Sequence, residues 1–214
     1  MAEQAVPYAL TTKARVKDRL QITATSFEAL FDRLISSATD LIESMTNRRF
    51  KSTTYTNEVY SVYGANPQHI FLRQAPVTAL TSFQFRTGTP SNPSWTNFIL
   101  DTYELLQDGA SGIIKVYGGV GGIYGGFSGG VNSVRATYAA GYLIDFANAG
   151  SATHTLPFDL SDLCERLVIK LFKRRESEGK LNEAYDGGSV TWKSLFDEED
   201  KLTIAKYRRE PTLT

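Results

Sequence analysis

Residues 27–50 have the sequence FEALFDRLISSATDLIESMTNRRF, in which apolar side chains recur every three or four residues. This spacing predicts a long amphipathic helix over residues 27–45. Thr25 and Glu28 predict a capping box at its start, and Asn47-Arg48-Arg49 places cations at its carbonyl end. At about 1.5 Å per residue, the helix is roughly 30 Å long and has one apolar stripe to bury.

The composition changes at residue 51. Residues 51–157 are half of the 214-residue chain but carry ten of its 46 charged residues (23 basic plus 23 acidic). The same block holds 15 of the 25 aromatic residues and 14 of the 17 glycines. Strands and turns favour this composition, whereas charged flanks are typical of solvated helices. The sequence therefore predicts a β-rich module between two helical ends.

Runs of β-branched and aromatic residues predict the strands of this module. They lie at 53–62, 77–85, 98–106, 113–117 and 131–138. Breaks are expected at Pro76, at Pro90 and at the Asn-Pro pairs 66–67 and 92–93.

A glycine-rich segment separates the last two predicted strands. Residues 118–130 have the sequence GGVGGIYGGFSGG, which predicts a mobile loop or a long hairpin tip. Ile123, Tyr124 and Phe127 are unusual in a plain spacer. Either they order against something such as a neighbouring subunit, or the segment is a simple disordered hairpin.

Further helices are predicted on both sides of the module. One covers Lys13 to Leu20, with Thr11 or Thr12 as its cap. A second follows Pro157, where apolar residues from Leu160 to Phe172 have helical spacing, with Asp159 or Ser161 as its cap.

The chain ends in a third flanking helix. It follows a break at Gly187-Gly188 and has the acids at 197–200 at its start and Arg208-Arg209 at its end, which suits a helix dipole. This terminal helix docks either on a partner or on its own domain, and the sequence leaves both open.

Charge and cysteine content exclude several classes of protein. The 23 basic and 23 acidic residues cancel, so no global field attracts nucleic acid or an anionic membrane. Cys164 is the single cysteine, which excludes an internal disulfide and favours a buried, inert thiol. A signal segment and an apolar span of about 20 residues are both missing, so synthesis in a reducing cytoplasm is expected.

No enzyme signature is found in the sequence. The glycine run does not fit G-x-G-x-x-G, and no G-x-x-x-x-G-K-[ST] is present. His69 and His154 lie apart without ligand-spaced partners, which argues against a zinc site or a Ser-His-Asp arrangement. The cluster Lys173-Arg174-Arg175 favours a solvated helix edge over a phosphate contact. We expect no catalytic residue, no cofactor and no metal.

The order of the segments resembles the head–tail connector proteins of tailed bacteriophages, also called head-completion or adaptor proteins. The likeness covers roughly residues 8 to 178 and is carried by LTTKARVKDRL, the helix ending in Arg48-Arg49-Phe50, IFLRQAPVTALTSFQF, GIIKVYGG, VRATYAAGY and LPFDLSDLCERLVIKLFKRRE. A weaker echo lies in the final LTIAKYRRE. The chain departs from shorter members of the family in its large middle block and its glycine run.

The resemblance implies an α+β fold: a small helical-bundle core of three to four helices, a large antiparallel β-rich insertion and an extended C-terminal segment. The expected parts are residues 1–50, the insertion 51–157, a completing helix in 158–180 and a C-terminal arm with a short helix in 181–214.

The resemblance also implies a structural virion protein in the neck, at the head–tail interface. Such proteins form a ring, usually twelve-fold, beneath the portal protein. They extend the channel for double-stranded DNA, which passes without sequence recognition, and they offer a platform for the next neck or tail protein. Their C-terminal segment contacts the portal, which maps here onto Leu202, Ile204, Ala205, Tyr207, Arg208 and Arg209. No membrane is involved.

Two other functions remain as alternatives. A tail terminator or stopper protein of the same neck region is disfavoured by the long helix over 27–45. A carbohydrate- or receptor-binding β-module would need Tyr60, Tyr63, Trp95, Tyr103 and Tyr124 to form an open stacking platform.

Overall fold

The computed structural model describes residues 7–62, 69–89, 92–117, 130–148, 150–175, 182–185, 188–191 and 195–209. In these ranges the fold is α+β, as predicted, with four helices, two antiparallel sheets of seven strands in total, and a further two-stranded hairpin. The chain forms two compact units. The helical unit contains residues 1–50 and 143–210, and the β unit contains residues 51–142.

The second boundary between the units lies after Tyr142, whereas the sequence suggested residue 157. The boundary lies there because residues 143–155 fold back on themselves within the helical unit. The Thr155 amide donates to the carbonyl oxygen of Leu143 at 2.9 Å, and the Leu143 amide donates to Thr155 Oγ1 at 2.9 Å. This stretch carries a single charged residue, Asp145, but belongs with the helices that follow it.

Four helices build the helical unit: α1 (Lys13–Leu20), α2 (Glu28–Thr46), α3 (Phe158–Arg174) and α4 (Glu198–Tyr207). Between α3 and α4, the strands β8 (Asn182–Tyr185) and β9 (Gly188–Thr191) form an antiparallel hairpin that the sequence did not predict. The core packs α2 against α3, where Phe31 stacks on Phe172 with ring centroids 5.0 Å apart. Its fully buried apolar side chains include Ile35, Ala38, Ile42, Leu160, Leu163, Cys164, Leu167 and Val168.

The capping box predicted for α2 is wrong. The helix begins at Glu28, and its N-cap residue Phe27 makes no side-chain capping hydrogen bond. The carboxylate of Glu28 instead accepts a hydrogen bond from Lys17 Nζ at 2.6 Å. Met45, placed on the apolar stripe, is 38% exposed, whereas Thr46 beside it is buried.

The cap predicted for α3 is also wrong, whereas the Thr12 cap of α1 is confirmed by its hydrogen bond from the Arg15 amide. Pro157 is the N-cap residue of α3, and Asp159 lies inside the first turn. The buried Oγ of Ser161 has no hydrogen-bond partner among the described residues.

Two antiparallel sheets form the β unit. The larger has the order β1-β7-β3-β4, from β1 (Thr53–Val62), β7 (Gly130–Ala140), β3 (Val77–Thr89) and β4 (Asn92–Asn97). The smaller has the order β2-β6-β5, from β2 (His69–Phe71), β6 (Ile113–Val116) and β5 (Tyr103–Leu105). Both sheets contribute to one apolar core, which contains Tyr60, Ile70, Leu72, Phe83, Phe85, Phe98, Ile114, Val134 and Tyr138.

The structure corrects two predictions in this unit. The Asn92-Pro93 pair, expected as a break, opens strand β4, with Pro93 opposite Gly88 of β3. The strand predicted over 98–106 is reduced to Tyr103–Leu105 because Ile99 to Thr102 form a turn, in which the Thr102 amide donates to the Ile99 carbonyl oxygen at 3.1 Å. The Asn-Pro pair at 66–67 and Pro90 lie outside the described residues.

One glycine is required by close packing in the β unit. Gly109 has φ +88°, and a Cβ built on it would lie 2.0 Å from the carbonyl oxygen of Val77. Both the backbone conformation and the available space therefore demand glycine at this position.

Candidate interaction surfaces

Helix α4 is attached to α3 by a buried acid. Asp200 is completely buried and accepts hydrogen bonds from Arg166 Nε at 3.1 Å and from Lys170 Nζ. Lys170 also contacts Asp197 at 2.8 Å, and that contact is the main cause that lowers the pKa of Asp197 to about 2. Because both cations lie on α3, this cluster anchors the start of α4.

The end of α4 is attached in a second way. The hydroxyl of Tyr207 donates to Asp159 at 2.7 Å, and Lys206 Nζ contacts the same carboxylate at 2.6 Å. Burial, followed by the hydrogen bond to Asp159, raises the pKa of Tyr207 to about 12. Beyond the helix, the Arg209 amide donates to the Thr46 carbonyl oxygen at 2.9 Å. The terminal helix therefore packs on its own domain.

This packing divides the six residues that the resemblance assigned to the portal contact. Ile204 and Tyr207 are buried at 5% and 8% exposure and face the helical unit. Leu202 is 73% exposed, and Ala205 and Arg208 are exposed as well. Arg209 is partly buried. The structure thus leaves an outer face of α4 accessible, whose apolar residue is Leu202.

Helix α1 is also held mainly by ion pairs. Lys13 lies 3.0 Å from Asp32, and Arg15 lies 2.9 Å from Glu165, where both carboxylates are buried. Val16 is the residue of α1 that the unit buries. An open groove of about 750 Å³ beside α1 is lined by residues that include Lys13, Lys17 and Glu28, whose charges are paired with one another or with Asp32.

A buried polar cluster lies inside the β unit. The hydroxyls of Tyr60 and Tyr138 both donate to the carboxylate of Glu58, and Arg73 contacts that carboxylate at 3.2 Å. Burial raises the pKa of both tyrosines well above the usual range. Both hydroxyls therefore stay protonated and act as donors, and the cluster joins β1 to β7.

The single cysteine and one of the two histidines are buried. Cys164 is fully buried 3.8 Å from Thr39 Oγ1, and burial raises its pKa to about 12, as expected for an inert thiol. His154 accepts a hydrogen bond from the Asp145 amide at 3.0 Å and is buried, whereas His69 lies on an exposed position of β2. Among the described residues, no group of three or more His, Cys, Asp or Glu residues is arranged to hold a metal ion.

The remaining features named from the sequence are the glycine-rich segment, the basic cluster at 173–175 and the predicted absence of a membrane-spanning helix. Ile123, Tyr124 and Phe127, with the whole segment 118–129, lie outside the described residues. In the basic cluster, the guanidinium of Arg175 stacks on Phe172 at 3.8 Å from the ring centroid. Within the described ranges, no helix is long and apolar enough to span a membrane.

The described members of the proposed aromatic set, Tyr60, Trp95 and Tyr103, do not combine into an open platform. Tyr60 is 2% exposed and lies in the core, and Tyr103 packs on Phe83 at 5.0 Å. Trp95 is on the opposite face of the sheet, where Arg135 covers its ring at 4.6 Å. Tyr63 and Tyr124 lie outside the described residues.

The fold has counterparts among solved structures. A chain from the neck of a native GTA particle computed with C12 symmetry is 18% identical, with a TM-score of 0.53 over 98% of this chain and 94% of that chain. A chain from the neck of an empty GTA particle computed with C6 symmetry is 16% identical, with a TM-score of 0.51 over 98% and 92%. A chain from the virion of a native gene transfer agent (GTA) particle is 17% identical, with a TM-score of 0.51 over 98% and 92%.

No protein-family model and no curated protein matches the chain. At 16 to 18% identity the likeness to the solved chains establishes the fold alone. It extends over nearly the whole of both partners, so the helical and β units are shared together.

Proposed function

We propose that this chain is a structural protein of a phage-like neck, a head-to-tail adaptor that forms a ring beneath the portal. The ring extends the channel for double-stranded DNA and carries the docking platform for the next neck or tail protein. One observation carries the proposal: the fold is similar over 98% of the chain to chains in neck structures with C6 and C12 symmetry. The site of action is the virion neck, after synthesis in the host cytoplasm.

The charge of the chain is compatible with this role. The 23 basic and 23 acidic residues balance, so a channel built from many copies need not bind the sliding genome tightly. A ring also needs two different complementary surfaces on each subunit, because its contacts run head to tail.

The portal contact is assigned to the outer face of α4. Leu202 at 73% exposure is the apolar centre of that face, with Ala205 one turn away and Arg208 at the end of the helix. Ile204 and Tyr207 hold the helix in place from below and contribute through its position.

The test is native mass spectrometry of the full chain with the portal ring of the same particle. We expect the wild-type chain to give a portal complex carrying a closed ring of copies. Leu202→Glu should weaken portal binding by about tenfold or more, because an exposed apolar anchor becomes charged. Ser37→Glu, on an exposed position of α2, is the matched control and should bind as the wild type does.

A surface substitution is preferred to truncating the chain before α4. Truncation would remove the buried Asp200, Ile204 and Tyr207 and would destabilise the helical unit itself. A wild-type chain that stays monomeric in the presence of the portal would contradict the adaptor role. Portal binding that is unaffected by Leu202→Glu would move the contact away from α4 and leave the role intact.

A further inference from the structure

Strand β4 forms an edge of the larger sheet, and its surface is unusual. Residues 92–100, NPSWTNFIL, contain no charged side chain, although most of them are exposed. Soluble proteins commonly protect sheet edges with charges, bulges or covering segments. The register of β4 on β3 is regular from Asn97 to Asn92, without a bulge. Among the described residues, β4 pairs with β3 and with no other strand, so its outer side is available for pairing with another strand.

The hydrogen-bonding phase of β4 shows which groups point outward. The Phe98 amide donates to the Phe83 carbonyl oxygen at 3.0 Å, so Phe83 and Phe98 form a hydrogen-bonded pair. Hydrogen-bonded and non-hydrogen-bonded pairs alternate in an antiparallel ladder. The peptide groups of Trp95 and Asn97 therefore point away from β3. Pro93 shares this phase, so its missing N–H costs the β3 ladder nothing but leaves the outer side of β4 without a donor at that position.

The turn that follows β4 adds two exposed aliphatic side chains. Ile99 is 57% exposed and Leu100 is 77% exposed. The turn is anchored by buried Thr102, whose hydroxyl donates to the Ile99 carbonyl oxygen at 2.6 Å. Phe98, just before the turn, stacks on Phe83 with ring centroids 4.3 Å apart. The open edge thus continues into an apolar tip on a well-anchored turn.

The opposite edge of the same sheet is β1, and its direction is complementary. Each neighbouring pair in the order β1-β7-β3-β4 is antiparallel, so β1 runs opposite to β4. Arg73 covers β1 at Val59 by donating to its carbonyl oxygen at 3.3 Å. The start of the strand, Thr53 to Tyr55, has regular register. By the same alternation Thr53 and Tyr55 bond to β7, so the peptide groups of Thr54, which is exposed, point outward.

We propose that, in the ring, the β4 edge of one copy pairs antiparallel with Thr53–Tyr55 of β1 in the next copy, so that the larger sheets join from subunit to subunit. Ile99 and Leu100 are then buried at the same contact. This inference rests on the proposed ring. A second copy is the occupant because two different edges of one sheet form the head-to-tail contact that a closed ring requires. Cyclic symmetry in the neck structures with the same fold agrees with it.

The first test uses amide hydrogen exchange of the wild-type ring on its portal. The amide of Asn97, which lies opposite Thr54 in this contact, should exchange rapidly in the free chain and at least about 100-fold more slowly in the ring, because it becomes hydrogen-bonded. Leu100→Glu and Thr96→Lys place charges on exposed positions and should reduce ring formation by about tenfold or more. Ser37→Glu is again the control, and circular dichroism verifies that each variant is folded.

The second test is a disulfide between copies. Thr54 and Asn97 share one face of the sheet, so a chain with Thr54→Cys and Asn97→Cys should cross-link into a ladder of oligomers on oxidation. Cys164 is buried and does not interfere. Each single substitution is the control. Efficient dimers from Asn97→Cys alone would show β4 paired with β4 and would overturn the proposal.

The outcomes separate this inference from the adaptor role. If the Leu100→Glu and Thr96→Lys variants form rings as the wild type does, and the Asn97 amide of the wild-type ring stays unprotected, the β4–β1 contact is overturned and the adaptor role stands. A wild-type chain that forms no ring would overturn both.

Discussion

Replacing Asp200 with asparagine tests whether a buried carboxylate holds α4 on α3. The Asp200 side chain is completely buried, with Arg166 Nη2 at 3.0 Å from one oxygen and Lys170 Nζ beside the other. The substitution Asp200→Asn keeps the shape and removes the charge. Two cations then face a neutral amide whose N–H groups cannot accept their hydrogen bonds.

The size of the effect follows from the exposure of the partners. Removing one member of a buried ion pair typically costs about 3–5 kcal/mol. The side chains of Arg166 and Lys170 are 18% and 27% exposed, and each keeps a second acid, Asp162 at 2.7 Å and Asp197 at 2.8 Å. We therefore expect the free energy of unfolding of the helical unit to fall by about 2–3 kcal/mol.

Urea denaturation measures this loss, and amide exchange over 198–207 assigns it to α4. Glu198→Gln is the control, because Glu198 is 85% exposed and its pair with Lys201 should contribute less than about 0.5 kcal/mol. Combining Asp200→Asn with Lys170→Met should give a loss that is non-additive by about 1 kcal/mol. If Asp200→Asn costs no more than the control, the carboxylate does not hold the helix and the reasoning fails.

Three further predictions concern other parts of the chain. Gly109→Ala should lower the free energy of unfolding of the β unit by about 2–4 kcal/mol, measured by urea denaturation, since its Cβ would lie 2.0 Å from a carbonyl oxygen. Gly150 also has positive φ but open space around it, so Gly150→Ala should cost only the backbone strain of about 1–2 kcal/mol. The pKa of Asp197 lies at about 2, below the ordinary 3.8, so its stabilisation of α4 is present above about pH 5 and is lost as the pH falls toward 2. Amide exchange across this range checks it, and Lys170→Met should reduce the shift, since the Asp200 amide still donates to Asp197. Glu58→Gln should cost about 1–3 kcal/mol, measured by thermal unfolding, because two buried tyrosine hydroxyls and an arginine lose a charged acceptor; an unchanged melting temperature would contradict a structural role for the cluster.

Local patterns predicted some elements to the residue. The helix over Lys13–Leu20 and the strand over Thr53–Val62 have the bounds read from the sequence. Helix starts were harder to predict because candidate capping side chains have tertiary partners. Glu28 pairs with Lys17 and not with its own N-cap, and Asp159 binds the Tyr207 hydroxyl.

Strand β4 was missed for a related reason. An Asn-Pro pair locally favours a break, but pairing with β3 overrides that preference here. Pro93 can lie in the strand because its backbone nitrogen points away from β3 and needs no hydrogen bond to it. Within the terminal helix, the pattern found the right segment but did not assign its faces. The burial of Ile204 and the exposure of Leu202 depend on α3, which is distant in the sequence.

The amino-acid sequence by itself determined the division into charged helices and a charge-poor β block, because periodicity and composition act over a few neighbouring residues. Only the tertiary structure decided where the second boundary falls, which acids are buried and which sheet edges stay open. Those features arise from pairs far apart in the chain, such as Asp200 with Arg166 and Glu58 with Tyr138. Burial makes such contacts strong, and the local sequence does not predict which distant residue will be the partner.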